Sequence, residues 1–127
     1  MAVRFGVILL AGLCLTACGG SSYTAPSPSP TPTPTPAGTT ATVTIVSGAS
    51  ARTTTAYSPN PLNVSVGTTV TWVNNDTTTH DATAVNNSFA TGSIAPGRSA
   101  SRTFQSAGSF PYYCTIHPGM VATINVQ

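Results

Sequence analysis

The chain contains no lysine and no glutamate, and its 127 residues carry only four arginines and two acidic residues, Asp76 and Asp81. Nucleic acid is excluded as a partner, because phosphate binding needs a basic patch that neutralises several phosphates at once. A permanent membrane-spanning helix is also excluded: the longest apolar stretch, from Val7 to Leu15, falls well short of the ~20 residues such a helix requires. No long helical period is present. Histidine occurs twice and cysteine three times, so any nucleophilic or metal chemistry has few residues to draw on. What the chain does have is Thr, Ser, Asn and Gly, together with Val and aromatics, the composition of strands joined by turns.

The first twenty residues read as an export signal, with Arg4 as the positive end and Val7 to Leu15 as the apolar run. Leu15-Thr16-Ala17-Cys18 resembles the lipobox of bacterial lipoproteins. That places a lipoprotein signal peptide at 1–17, cut before Cys18, and makes Cys18 the lipidation site; an ordinary secretory signal is the plainer reading. Residues 18–40 then form a linker, in which Pro26, Pro28, Pro30, Pro32, Pro34 and Pro36 alternate with Ser, Thr and Ala. Twenty residues of polyproline II at about 3.1 Å each would hold a domain on the order of 60 Å from a lipid anchor, whereas a disordered spacer, the alternative reading, has no defined reach. The expected location is extracytoplasmic, on a membrane and facing the periplasm or cell exterior. Cleavage removes Cys14 and lipid consumes Cys18, which leaves Cys114 as a lone thiol. In an oxidising compartment a lone thiol is a liability unless it is ligated or buried.

The folded domain is expected at 41–127. Val43 and Ile45 share one face of a first strand, and Pro59 and Pro61 confine the next stretch to an edge or loop. Leu62, Val64 and Val66 alternate, Gly67-Thr68 turns the chain, and Val70 and Trp72 alternate after it, which predicts a hairpin. The polar loop Asn74 to Thr79 delivers His80 to a short strand over 81–85. Pro96-Gly97 turns into a strand ending at Phe104, where parity places Arg102 on the inner face beside Phe104, a misfit that needs a bulge or an open edge. Phe110, Tyr112 and Cys114 share one face of the next strand, and Met120, Ala122, Ile124 and Val126 share one face of the last. Seven to eight short strands punctuated by Gly and Pro predict an all-β, antiparallel Greek-key sandwich.

The chemistry is concentrated in Tyr112-Tyr113-Cys114-Thr115-Ile116-His117-Pro118-Gly119-Met120. A thiolate, an imidazole and a thioether within seven positions suit a soft metal. A trigonal set of two histidines and a cysteine with a weak axial methionine describes a blue-copper electron-transfer site. The second imidazole can come only from His80. A Cys/His nucleophile pair is disfavoured, because no third orienting group is evident and the methionine would have no role.

These pieces together resemble the cupredoxins, the small blue copper proteins, of plastocyanin/amicyanin type. The resemblance runs from Val43 to Val126 and rests on Tyr57-Ser58-Pro59, Val70-Thr71-Trp72-Val73-Asn74-Asn75-Asp76 leading to His80, Ala95-Pro96-Gly97, Gly108-Ser109-Phe110 and the closing loop. It implies one copper per domain held by His80, Cys114, His117 and Met120, and a one-electron carrier rather than an enzyme. Its partners would be a redox donor and acceptor, with the carrier itself a monomer. A copper-binding module for storage, delivery or sensing, with the same ligands, is the alternative. The resemblance also implies that the edge of His117 meets partners through Ile116, Pro118 and Gly119, and that Tyr113 is a second electron port. One departure stands out. Where the family has Asn after the first histidine ligand, this chain has Asp81, expected to accept hydrogen bonds from the loop around Thr115 and to favour Cu(II).

Overall fold

The computed structural model describes residues 38–127. The expected signal peptide at 1–17, Cys18 and most of the linker lie outside the described residues.

Among the described residues, eight strands form two four-stranded sheets. In spatial order the first sheet holds β2 (Tyr57–Ser58), β1 (Thr40–Ile45), β4 (Thr69–Asn74) and β6 (Ser99–Thr103). The second holds β3 (Leu62–Val64), β8 (Val121–Val126), β7 (Gly108–Tyr113) and β5 (Thr83–Ala84). A 3-10 turn at Ala49–Ala51 follows β1.

The period-two pattern of the sequence becomes the core. Val43 and Ile45 of β1, Val70 and Trp72 of β4, Tyr112 of β7, and Ala122, Ile124 and Val126 of β8 are all buried. Trp72 packs with Phe89 at 5.6 Å between ring centroids and meets the edge of Tyr112 at 5.8 Å, so one side chain ties the two sheets together. Tyr57 meets Tyr112 edge-on at 4.9 Å. Such offset and edge geometries add to the burial of apolar area.

Three local readings change. The expected hairpin between Leu62–Val66 and Val70–Trp72 does not form, because β3 and β4 belong to different sheets. The backbone of β3 is taken by β8, with Leu62 opposite Ile124 and Val64 opposite Val126 in parallel register. After Val64 the chain crosses between sheets, and Val66, expected inward, is left 47% exposed. Gly67, at φ 87°, makes this crossing possible because left-handed backbone suits glycine. A second consequence is that pairing is mixed: β1 with β4 and β3 with β8 are parallel, and the remaining pairs are antiparallel. The strand expected over 81–85 shrinks to Thr83–Ala84, with His80 and Thr83 also making isolated bridges to Ile94 and Ala90.

The misfit at Arg102 is resolved by an open edge. Arg102 lies opposite Val70 on the inner face, but β6 is the outermost strand of its sheet. The guanidinium therefore leaves the core sideways and donates through Nε to the carbonyl of Ala90 at 2.8 Å, while Phe104 beyond it is buried.

Candidate metal centre

The loop after β4 is built around two buried polar side chains. Asn74 is fully buried; its Oδ1 accepts from the backbone N–H of Asp76 at 2.9 Å, and its Nδ2 donates to the carbonyls of Thr78 and Ile94, each at 2.8 Å. That closes the loop on itself and ties it to the segment at Ile94. His80 then exchanges two backbone hydrogen bonds with Ile94, at 3.1 and 2.7 Å, and its ring is wholly buried.

On the other side of the site, the parity of β7 turns Cys114 inward, where it is fully buried. The connection to β8 is held shut by the Cys114 N–H on the carbonyl of Met120 at 3.1 Å and the Met120 N–H on that of His117 at 2.9 Å. Met120 is fully buried, whereas His117 is half-buried and its neighbours Ile116, Pro118 and Gly119 are exposed.

Topology brings the two halves together. The side chains of His80, Cys114 and His117 converge. His80 Nδ1 and His117 Nδ1 are 3.2 Å apart, and Cys114 Sγ lies 3.8 Å from the first and 3.9 Å from the second. A triangle with these sides has its centre about 2.1 Å from each corner, the length of a transition-metal bond to imidazole and slightly short of one to thiolate.

The hydrogen bonds on the far side of His80 leave its inner nitrogen free for a cation. His80 Nε2 lies 2.9 Å from Asp76 Oδ2, so Nε2 carries the proton and Nδ1 presents a lone pair to the centre. His117 Nδ1 and Cys114 Sγ face the same point, so the three atoms can together offer two imidazole nitrogens and a thiolate to one ion. The donor set, two borderline nitrogens and one soft sulfur, fits copper.

Asp81 makes the hydrogen bonds expected near Thr115: Oδ1 accepts from the Thr115 N–H at 2.6 Å and Oδ2 from the Thr115 hydroxyl. Its own N–H points at Cys114 Sγ at 3.4 Å, and its carbonyl accepts from the Tyr57 hydroxyl. Tyr113, the candidate second port, is half-buried in β7 opposite Thr83 and Val121.

Two further residues reach the site, Asp76 and Tyr57. In sequence Asp76 is one of a run of turn formers, and only the closure by Asn74 carries its carboxylate to the far side of the His80 ring. The His80 bond and the backbone N–H groups of Gly48, Thr77 and Ala49 hold the Asp76 carboxyl well below the usual carboxylate range. Burial, reinforced by the nearby Cys114 charge, pushes the Tyr57 phenol up, so it remains a donor.

Residues 43–127 match the family model for copper-binding proteins of the plastocyanin/azurin family. Among characterised relatives, plastocyanin of Scenedesmus fuscus is 33% identical over 56% of this chain and 86% of its own length. Amicyanin of Paracoccus denitrificans is 34% identical over 56% of this chain and 58% of its own length. In three dimensions the chain resembles a purple cupredoxin from Nitrosopumilus maritimus, with a TM-score of 0.64 and 33% identity over 68% of this chain and 99% of that one. The chain therefore belongs to the plastocyanin/azurin family of copper-binding proteins. It is a blue copper electron carrier with one copper, working with redox partners, and not an enzyme.

Proposed function

We propose that His80, Cys114, His117 and Met120 are the copper ligands, and that the protein is an exported carrier shuttling one electron at a time between extracytoplasmic redox proteins. The observation that carries the ligand assignment is the convergence of one sulfur and two imidazole nitrogens within 3.9 Å of each other in a largely buried space. Bound copper supplies a single reversible electron.

The residues divide the remaining work. Cys114 would hold copper through its thiolate and give the intense visible absorption; His80 and His117 would hold it through their imidazoles, and Met120, buried just before β8, would add a weak thioether contact that tunes the potential. Backbone hydrogen bonds fix the loop from Cys114 to Met120, and β7 and β8 hold its two ends. A cage held this way keeps one geometry in both oxidation states, which keeps reorganisation on electron transfer small. Electrons leave by the exposed edge of His117, across the apolar collar of Ile116, Pro118 and Gly119, and Tyr113 offers a second way out. With so few charges on the surface, docking is apolar. Cys18 anchors the protein to a membrane by lipid, the proline-rich linker spaces the monomeric domain from it, and Asp81 ties the two ligand loops together.

Adding Cu(II) to the purified apo-protein should produce an intense thiolate-to-copper band that is absent in Cys114→Ser; a colourless product sinks the ligand assignment. Fast electron exchange between the Cu(I) and Cu(II) forms is expected of a carrier, whereas slow exchange with tight binding would favour a copper store. Cys18→Ala should move the protein from the membrane to the soluble fraction, and retention on the membrane would remove the lipid anchor.

A further inference from the structure

The chain has two acidic residues in all, and both are buried beside the metal centre. Asp81 clamps the loops together. Asp76 has a different relation to the site, because it touches a ring that would bind the metal directly.

Five donors converge on the Asp76 carboxylate. Oδ1 accepts from the backbone N–H groups of Gly48 at 3.0 Å and Thr77 at 2.8 Å. Oδ2 accepts from the N–H of Ala49 at 3.0 Å, the Thr78 hydroxyl at 3.3 Å and His80 Nε2 at 2.9 Å. The Thr78 oxygen also lies 2.9 Å from His80 Nε2. Four of these donors would orient a carboxylate with no histidine present, so its direction toward the ring is imposed by the fold. The ring in turn cannot rotate, being fully buried between this carboxylate and the metal-facing side.

The geometry points to Asp76 as a positioning residue that acts through His80: it fixes the tautomer that exposes Nδ1, makes that nitrogen a stronger donor, and so favours Cu(II) over Cu(I). A carboxylate on the far nitrogen of a metal-bound imidazole raises ligand basicity, and removing such a partner typically costs about 10–100-fold in metal affinity. The more highly charged oxidation state gains more from a negative charge one ring away, and a buried site of low dielectric strengthens the effect. This inference rests on the assignment of His80 as a copper ligand.

The test is Asp76→Asn in the copper-loaded protein, reading the midpoint potential together with the separate affinities for Cu(II) and Cu(I). The amide keeps an oxygen that can accept from His80 but loses the charge. The expected result is a retained visible band, a Cu(II) affinity reduced about tenfold more than that for Cu(I), and a midpoint higher by the equivalent ~59 mV of a one-electron couple. Equal losses in both oxidation states with an unchanged midpoint, or a lowered midpoint, would overturn the inference and leave Asp76 as a loop staple. Loss of the band in His80→Ala supports the ligand reading, and its survival there would remove that reading and this inference with it. Should Asp76→Asn fail to fold, proton NMR of the Cu(I)-loaded wild type decides: an exchange-protected proton on His80 Nε2 supports the inference, and a proton on Nδ1 overturns it.

Discussion

The two histidines of the metal centre sit in opposite environments. His80 is wholly buried, braced by the Ile94 backbone and the Asp76 carboxylate, and arrives from a loop stapled by Asn74. His117 is half-buried, in a short turn whose exposed neighbours are Ile116, Pro118 and Gly119. One side of the site is built to hold the ion and tune it, and the other to let electrons through. A carrier needs both, since a fully buried ion exchanges electrons slowly and a fully exposed one loses its fixed geometry.

The sharpest way to break this contrast is to remove each ring in turn. His117→Gly leaves an opening to solvent, so added imidazole should enter and restore most of the visible band. His80→Gly leaves a gap sealed by the core, and imidazole should restore little, because it would have to pass through packed side chains. Recovery of both variants to the same extent, measured by copper titration with and without imidazole, would erase the distinction. Next in size is Ile116→Asp, which puts a charge on the apolar collar. Truncating or charging the centre of a docking patch commonly costs more than 1 kcal/mol, so electron exchange with a partner should slow by about tenfold. The midpoint and spectrum should not move, and a shifted midpoint would mean the collar shapes the ion and not the docking.

The exposed side of the site was the more legible one in the sequence. Cys114, His117 and Met120 lie within seven positions, and strand parity alone turned Cys114 and Met120 inward. His80 could be named because the chain offers no other histidine. Asp81 was visible through its departure from the family pattern. Asp76 was not, because its position depends on how Asn74 folds the loop, and a run of Asn, Asp and Thr reads only as turn formers. The same limit applied to the fold. Alternation identified inward faces correctly along β1, β4, β7 and β8, but the turn at Gly67-Thr68 looked like a hairpin, since local pattern does not say which sheet the next strand joins. That choice was made by β8, which pairs with β3 from the far end of the chain.

The buried side should also respond to acid. Asp76 has a folded-state pKa below its ordinary 3.8. The unfolded chain therefore binds the proton more readily, and the stability this carboxylate contributes is fully present above about pH 4 and is lost as pH falls toward the lower folded value. The melting temperature of the apo-protein should drop as pH is lowered from about 4 to about 2, and it should drop less in Asp76→Asn. Identical acid sensitivity in the two proteins would place the loss elsewhere.

The smallest expected effect is at Asp81, which bridges the two regions. Both of its oxygens are used by Thr115, so its charge is directed at the loop and not at a ligand ring. In Asp81→Asn the amide oxygen can keep the bond from the Thr115 N–H, and the Thr115 hydroxyl can turn to accept from the amide, so the clamp survives while the charge goes. Cys114 lies next to Thr115 and receives the Asp81 N–H, so a negative charge removed there still favours Cu(I), but from farther along the hydrogen-bonded path than Asp76. The midpoint should rise by less than in Asp76→Asn. A larger rise would move the principal control of the potential from the buried histidine to the exposed loop, and an unchanged or lowered midpoint would reduce Asp81 to a mechanical tie.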